Sequence, residues 1–245
     1  MYSKEHKNIE GVPNFVATEL VERKTKYCLC IPIINEADRI HKQLERAQKN
    51  GIDKLVDIII CDGDSTDGST DLFQLQKLGV NTVLVKKDFG KQGAQLRMGF
   101  WFALERGYEG ILTIDGNNKD SIESVSLFID KLEAGYDFIQ GSRYVAGGKA
   151  INTPLIRHLA VQFIHSPLIS LTAGHKFTDS TNAYRAYSKK YLTHDKVKPF
   201  RAIFVTYELL AFLSVRASQL GLKVGEVPVE RRYPEKGKTP TKISF

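Results

Sequence analysis

The sequence predicts an α/β domain with a mostly parallel central sheet flanked by helices. Three observations carry this. Five short apolar runs rich in β-branched or aromatic residues recur between positions 27 and 141, helix-like stretches separate them, and the runs are nearly continuous in apolar residues, as strands covered on both faces are.

The strand runs are YCLCIPII (27–34), VDIIIC (56–61), NTVLVK (81–86), GILTID (110–115) and YDFIQG (136–141). Between them, EADRIHKQLERAQK (36–49) sets Ile40 and Leu44 four apart, and stretches 92–106 and 120–134 carry apolar residues at three-and-four spacing, the mark of a helix with one buried face. Strands alternating with helices imply parallel pairing through right-handed crossovers. A further helix is expected from Ser69, with part of DGDSTDG (62–68) serving as its turn and N-cap. The 245 residues, 42% of them hydrophobic, support one substantial core, and no Pro/Gly/Ser-rich linker, repeat or low-complexity tract divides the chain.

The polar start, MYSKEHKNIEGVPNF, lacks the apolar stretch of about 7 to 15 residues that marks a secretory signal, and no run reaches about 18 apolar residues. A cytoplasmic location is expected. Cys28, Cys30 and Cys61 lie in apolar strand runs, where C-x-C alternation points the first two to one face, so they read as core rather than metal or redox sites. Net charge is +7, with much of the excess in VERRYPEKGKTPTK (229–242). Such an end attracts phosphates or an anionic membrane surface, whereas the absence of zinc-finger spacing or an aromatic-rich RNA signature argues against nucleic acid.

In doubly covered parallel sheets, ligands bind beyond the carboxyl ends of strands at a topological switch point. The polar residues there become the candidates: Asn35 and Glu36 after the first run, Asp62 to Gly68 after the second, and Asp115, Gly116 and Asn117 after the fourth. DGDSTDG resembles a calcium loop only superficially, since position 73, where an EF-hand needs Glu, is Phe and a strand precedes the loop. FGKQGAQLRMGF (89–100) sets Gly90, Gly93, Lys91 and Arg97 at a helix mouth suited to an anion, a signal an ordinary capped helix would also give.

In order along the chain stand IPIINEADRI, ICDGDSTDG, GAQLRMGF, IDGNN, IQGSRYVAGG, TDSTNAYRAYSKKYL, TYELL and KVGEVPVERRYPEKGKT. Together they resemble glycosyltransferase family 2 with the GT-A nucleotide-sugar fold, in particular its dolichol-phosphate-mannose-synthase-like, polyprenyl-phosphate branch. The resemblance implies one GT-A domain over residues 27–245 after an N-terminal extension of 1–26, with a nucleotide-binding half at 27–118 and an acceptor half at 119–245 ending in the basic segment. It implies transfer, with inversion favoured, of a sugar from a nucleoside-diphosphate sugar to a polyprenyl phosphate or a growing surface glycan. Pro32, Asn35, Glu36, Asp62, Asp64, Gly93, Arg97 and Asp115 would serve the nucleotide. Lys119, Arg143, Arg157 and Arg185 would meet phosphates. Asp179, then Glu208, would orient or deprotonate the acceptor with Arg143 beside them, and Asp115, Asn117 and Asp120 would hold Mg²⁺ or Mn²⁺.

Two departures from the family pattern matter chemically. Where the family has Asp-x-Asp-x-Gln, this chain has Asp115, Asn117 and Lys119. An amide oxygen still ligates a hard cation, but an ammonium cannot, and its charge opposes a divalent ion. Three readings stand: weakened metal dependence with Lys119 supplying charge to the diphosphate, Asp120 rotating in as a ligand, or Lys119 pointing to solvent. The second departure is DSTNAYR at 179–185 in place of the family's D-x-x-S-G-F-R, which bears on the acceptor. The stretch LIRHLAVQFIHSPLISLT (155–172) reads as a core helix kinked or ended at Pro167, or as a lipid contact giving peripheral attachment at the cytoplasmic membrane face. Two other classes stay open: a nucleotidyltransferase of related fold, disfavoured by NEADR where a Gly-rich basic loop would stand, and a non-catalytic nucleotide-sugar-binding scaffold.

Overall fold

The computed structural model describes residues 1–235. Nine strands make one sheet: β1 (Tyr2–His6), β2 (Phe15–Glu19), β3 (Tyr27–Ile33), β4 (Asp57–Asp62), β5 (Val80–Lys86), β6 (Gly110–Thr113), β7 (Phe138–Ser142), β9 (Arg185–Ser188) and β10 (Val224–Pro228). A separate parallel ribbon pairs β8 (Lys149–Ile151) with β11 (Glu230–Arg232). The longer helices are α1 (Ala37–Lys49), α3 (Leu72–Lys77), α4 (Gln92–Glu105), α5 (Val125–Glu133), α6 (Leu155–Ala160), α7 (Ser166–Ala173) and α9 (Glu208–Gln219), while α2 (Ile52–Leu55) and α8 (Lys189–Leu192) are single turns.

The sheet runs β1-β2-β5-β4-β3-β6-β9-β7-β10. Its centre, β5-β4-β3-β6, is parallel, as the alternation of runs predicts. Antiparallel pairs flank this centre, because β9 inserts between β6 and β7 and the β1-β2 hairpin docks on β5. The whole is therefore mixed. Residues 1–26, expected as an extension, supply two of the strands, and Phe15 among them is fully buried.

Every residue of β3 and of β4 is buried. Alternation sends Cys28, Cys30, Ile59 and Cys61 to one face, against Leu96, Phe100 and Ala103 of α4 and Leu209 and Leu213 of α9. Leu29, Ile31, Ile33, Ile58 and Ile60 face the other way, against Ile40, Leu44 and Ala47 of α1 and Val125 and Phe128 of α5. The three cysteines are core residues, as their setting predicts.

The sheet switches direction between β3 and β6: from β3 the chain builds outward through β4 and β5, then returns to place β6 on the other side. β6 ends at Thr113, opposite Cys30, so β3 outruns it. Cys30 O accepts from Ile114 N on the β6 side and Ile33 O from Gly63 N on the β4 side, so alternation turns the backbone of Pro32 toward the gap past β6. A proline, lacking an N–H, is tolerated there without breaking a ladder bond. The gap is the root of a crevice.

Helix α3 begins at Leu72, capped by Asp71, rather than at Ser69. Ser69 serves elsewhere. Its buried hydroxyl accepts from Glu36 N and Ala37 N, capping α1 from across the crevice because the Glu36 side chain makes no cap of its own. Pro167 does not end its helix: a π-turn, Val161–His165, joins α6 to α7, and Pro167 falls in the first turn of α7. A π-turn absorbs the main-chain mismatch that a proline imposes. Only Val161, Ser166 and Ala173 of residues 155–173 are buried, so this is not the core helix that its apolar composition suggests. No helix among the described residues is long and apolar enough to cross a membrane.

Helix α4 starts against the segment before α9. A Cβ on Gly93 would lie 2.6 Å from Thr206 O and 2.7 Å from Phe204 O, both main-chain atoms. The close approach that Gly93 permits is thus to protein backbone and not to a phosphate. Gly93→Ala should lower unfolding free energy by about 1–3 kcal/mol, the cost of overpacking a close contact. Urea denaturation checks this, and an unchanged midpoint would refute the assigned packing.

Candidate active site

Three strand-end loops meet at the gap beside β3. In the loop after β4, Asp62 is buried and turns inward, accepting from Asp64 N and Ser65 N, each at 2.9 Å, and from the Ser65 hydroxyl. The loop after β3 is tied to it, since Asn35 N donates to Ser65 Oγ (2.8 Å) and Thr66 N donates to Asn35 Oδ1 (2.9 Å). Asn35, Ala37, Asp64 and Asn118 all have positive φ, of 48°, 35°, 76° and 56°. Left-handed non-glycine residues clustered around one crevice fit the storage of strain at functional sites. Of the residues expected at a nucleotide, Asn35 and Asp64 are exposed there, Glu36 is nearly buried and pairs with Arg39 (2.8 Å), and Pro32 and Asp62 shape the walls.

The loop after β6 carries the sharpest chemistry. Asp115 is partly exposed, and its carboxylate accepts from Gln92 Nε2 (2.9 Å), Arg231 Nη2 (3.1 Å) and Asn117 Nδ2 (3.4 Å). Asp120 is buried, accepting from Arg231 Nη1 on one oxygen and from Asn182 Nδ2 (3.4 Å) on the other. Burial pushes the Asp120 carboxyl up, to about 6, with Arg231 pulling against it. Arg231 reaches this position on β11, which the main chain sews to the loop: Arg232 N donates to Lys119 O (2.8 Å) and Ser121 N to Glu230 O (2.9 Å).

Tyr233 gathers the cations. Lys119 Nζ lies 5.4 Å from its ring centroid, with the guanidinium carbons of Arg157 and Arg231 at 5.5 and 5.6 Å. Arg157 also donates to the Tyr233 hydroxyl (3.0 Å). Burial would raise that hydroxyl's pKa, yet Arg231 and Arg157 hold it below its usual value. Burial, then Arg231, likewise lowers the Lys119 ammonium. Lys119 therefore does not simply point to solvent: it is half-buried, and with Arg157 and Arg231 it surrounds the Tyr233 ring.

Other candidates lie elsewhere. Arg185, expected at a phosphate, is 2% exposed and donates to the main-chain oxygens of Asn182, Leu210 and Ser180. Arg97 is spent in the same way on Phe204 O (3.1 Å) and Gly11 O. Both are structural. Arg143 and Asp179 form a two-point pair at 2.7 and 2.9 Å, with side-chain exposures of 2% and 0%. Glu208 is neither buried nor paired with an arginine; it is exposed and accepts from Thr206 N and Thr206 Oγ1, both at 2.7 Å, which hold its pKa down against the rise from burial. Sequence reasoning missed Gln92, Asn182, Arg231 and Tyr233 in this site. Arg231 and Tyr233 were visible only as part of the basic stretch 229–242, of which residues 236–242 lie outside the described residues.

The donor set does not fit a resident divalent ion as arranged. Among the described residues, no group of three or more His, Cys, Asp or Glu side chains could hold one. Asp120, expected as a ligand, is closed off by Arg231, and the same guanidinium occupies Asp115, which leaves the Asn117 amide as the remaining expected donor. A divalent ion would have to displace a guanidinium and lie near Lys119.

Residues 28–195 match the model of the family Glycosyl transferase family 2. The chain is 31% identical over 177 residues to the polyprenol monophosphomannose synthase of Mycolicibacterium smegmatis, covering 71% of this chain and 66% of that one. It is 28% identical over 209 residues to the undecaprenyl-phosphate mannosyltransferase of Micrococcus luteus, covering 81% and 80%. In structure it is similar to the glucosyl-3-phosphoglycerate synthase of Mycobacterium tuberculosis crystallised with Mg²⁺ and UDP, with a TM-score of 0.62 at 17% identity over 88% of this chain and 73% of that one. At that identity the likeness concerns the fold, which is GT-A.

The buried Arg143–Asp179 pair yields a test. Burial alone would raise the Asp179 carboxyl, but Arg143 and the Thr181 N–H hold it below the usual carboxylate range. A depressed folded-state value stabilises the protein above the unfolded value of about 3.9, and this contribution is lost as pH falls through the lower folded value. Asp179→Asn should cost about 3–5 kcal/mol near neutrality, the penalty for stranding a buried guanidinium, and should flatten the acid limb of stability against pH. Denaturant titrations across pH measure both effects, and a variant as stable as wild type would dismiss the pair's structural role.

Proposed function

The chain belongs to glycosyl transferase family 2, and from that premise we propose that it moves a hexose from a nucleoside-diphosphate sugar to a polyprenyl phosphate. The observation that supports this most is the cationic cluster of Lys119, Arg157 and Arg231 facing Asp115 at the switch point of a GT-A sheet. Such a cluster suits a diphosphate leaving group and a phosphate acceptor, both anionic. The loops after β3 and β4 would hold the base and ribose, through Asn35, Glu36 and Asp64.

The chemistry asked of the protein is modest. An acceptor phosphate oxygen attacks the anomeric carbon, the bond from that carbon to the diphosphate oxygen breaks, and the electron pair leaves with the nucleoside diphosphate, inverting the centre. A lipid phosphate is already ionised at neutral pH, so no strong base is needed. Asp179 then acts by fixing Arg143, and positive charge at the leaving diphosphate is the main catalytic contribution. A divalent ion, where one is bound, would supply such charge as a Lewis acid.

The exposed face of residues 155–171 favours a lipid acceptor over a soluble glycan. Ile156, Phe163 and Leu171 are 83%, 74% and 82% exposed, and Leu155, Ile164 and Leu168 lie among them. Arg157, on the same helix, reaches into the site through Tyr233. A polyprenyl chain at a membrane surface would meet the apolar residues while its phosphate meets Arg157.

Incubation with UDP- and GDP-hexoses and detergent-dispersed undecaprenyl or dolichyl phosphate should give one glycolipid and an equal amount of nucleoside diphosphate, read by mass spectrometry. Pyrophosphate release from a nucleoside triphosphate would instead indicate a nucleotidyltransferase, and donor binding without turnover a scaffold. Arg157→Ala should cut transfer about 10- to 100-fold, as expected for a lost hydrogen bond to a charged group. Phe163→Ser with Leu171→Ser should weaken sedimentation with anionic vesicles by about tenfold or more, since each buried side chain contributes about 1.5–3 kcal/mol. Unchanged sedimentation would separate this helix from membrane contact.

A further inference from the structure

We propose that Arg231, assisted by Lys119, takes the place of the divalent cation at the donor diphosphate, so that donor binding needs no metal ion. The inference rests on a nucleoside-diphosphate sugar being the donor. Its ground is position. Arg231 bridges Asp115 and Asp120, its Nη2 lying 3.1 Å from the first carboxylate and its Nη1 hydrogen-bonded to the second. A metal ion in this loop would need those same two carboxylates.

The bridge is asymmetric in a way that suits a working cation. Asp120 has 0% side-chain exposure and holds its end of the guanidinium within the protein, whereas Asp115 is 22% exposed and lies on the crevice side. The longer, wetter contact is the one a diphosphate can exchange with, while the buried one keeps the charge in place. A guanidinium has five donors in a planar fork that matches phosphate oxygens two at a time, and it cannot lose its proton. The backbone bonds of β11 to Lys119 and Ser121 fix the depth from which the side chain reaches. Lys119, beside the same tyrosine ring, adds a second charge where the family pattern has a neutral amide.

Charge makes the same case. Asp115 and Asp120 are answered by Arg231 and Lys119, and Arg157 brings a further positive charge to the Tyr233 ring. The site is thus already compensated for its own carboxylates and carries an excess for an incoming anion. A divalent ion added to it would meet cations first.

The test is calorimetric titration of the full chain with UDP and with GDP, in chelator and in Mn²⁺, for wild type, Arg231→Gln and Arg231→Lys. The expected result is wild-type binding of one nucleotide that changes less than about threefold between chelator and Mn²⁺, too little for a lost charge-assisted contact. Arg231→Gln should bind about 10- to 100-fold more weakly in chelator, the worth of one such contact, and recover in Mn²⁺ because Asp115 and Asp120 are uncovered. Arg231→Lys, which keeps the charge but loses the fork, should fall between wild type and Arg231→Gln in chelator. Electron paramagnetic resonance of Mn²⁺ without nucleotide gives an independent readout: wild type should leave the ion free at concentrations where Arg231→Gln takes it up. Wild-type binding that disappears in chelator and returns with Mn²⁺ would overturn the proposal while leaving the donor reading intact. No binding of either nucleotide in any condition would bring down the donor reading and this inference with it. Should Arg231→Gln fail to fold, as judged by circular dichroism, wild type and Arg231→Lys in chelator still decide.

Discussion

The constraint on which the rest depends is the burial of β3 and β4 on both faces. Each strand is buried along its whole length, with β4 apolar between Asp57 and Asp62 at its two ends, because α4 and α9 cover one side of the sheet and α1 and α5 the other. Neither strand can carry an exposed functional group within its span. Polar residues are displaced past the strand ends, and since β3 outruns β6, those ends open on a gap. Pro32 belongs to the same constraint, since a residue without an N–H fits where the neighbouring strand has stopped. The crevice follows from covering the sheet twice and switching its direction once.

Polarity gathered in this way has to be balanced. Two carboxylates that lie inside, Asp120 and Asp179, each have a guanidinium within hydrogen-bonding distance, from Arg231 and Arg143. Burying a charge unpaired would cost several kcal/mol, so these pairs are conditions of folding before they are instruments of chemistry. They differ in what they leave over. Arg143 gives its fork to Asp179 and Thr181 and is shut in, whereas Arg231 divides its fork between a buried and a half-open carboxylate. Only the second arrangement includes a partly exposed carboxylate, Asp115.

The central strands, their helices and the loops at their ends were legible in the sequence because periodicity and strand-end polarity are local signals. Asp115, Asn35 and Asp64 came to the crevice for that reason. Arg231 did not, since its contact with Asp115 spans 116 positions and depends on a three-residue strand, β11, too short to leave a pattern. Arg97 and Arg185 show the opposite failure. Motif position gave the residue type at each site, but the direction of the side chain is set by main-chain oxygens at Gly11, Phe204, Ser180, Asn182 and Leu210, which no sequence motif encodes. Residues 1–26 read as an extension because their two strands pair antiparallel at the sheet's edge, outside the alternation that signals its centre.

The helix at 155–173 shows why composition misleads where geometry does not. Apolar residues on nearly every side normally mean a buried helix. Here the π-turn ahead of Pro167 offsets the two halves, and Val161, Ser166 and Ala173 are the residues buried against the protein, while the larger side chains turn outward. That orientation exposes far more apolar surface than a single core helix would, at a cost that only something covering it can repay. Arg157 is fixed to Tyr233 from the same helix, so the apolar face and the cationic cluster cannot move independently. On the proposed reading, the hydrocarbon chain and the phosphate of a polyprenyl phosphate would meet the same helical element, whose Arg157 is bonded to Tyr233. A soluble glycan, with neither a hydrocarbon chain nor a phosphate, would use neither.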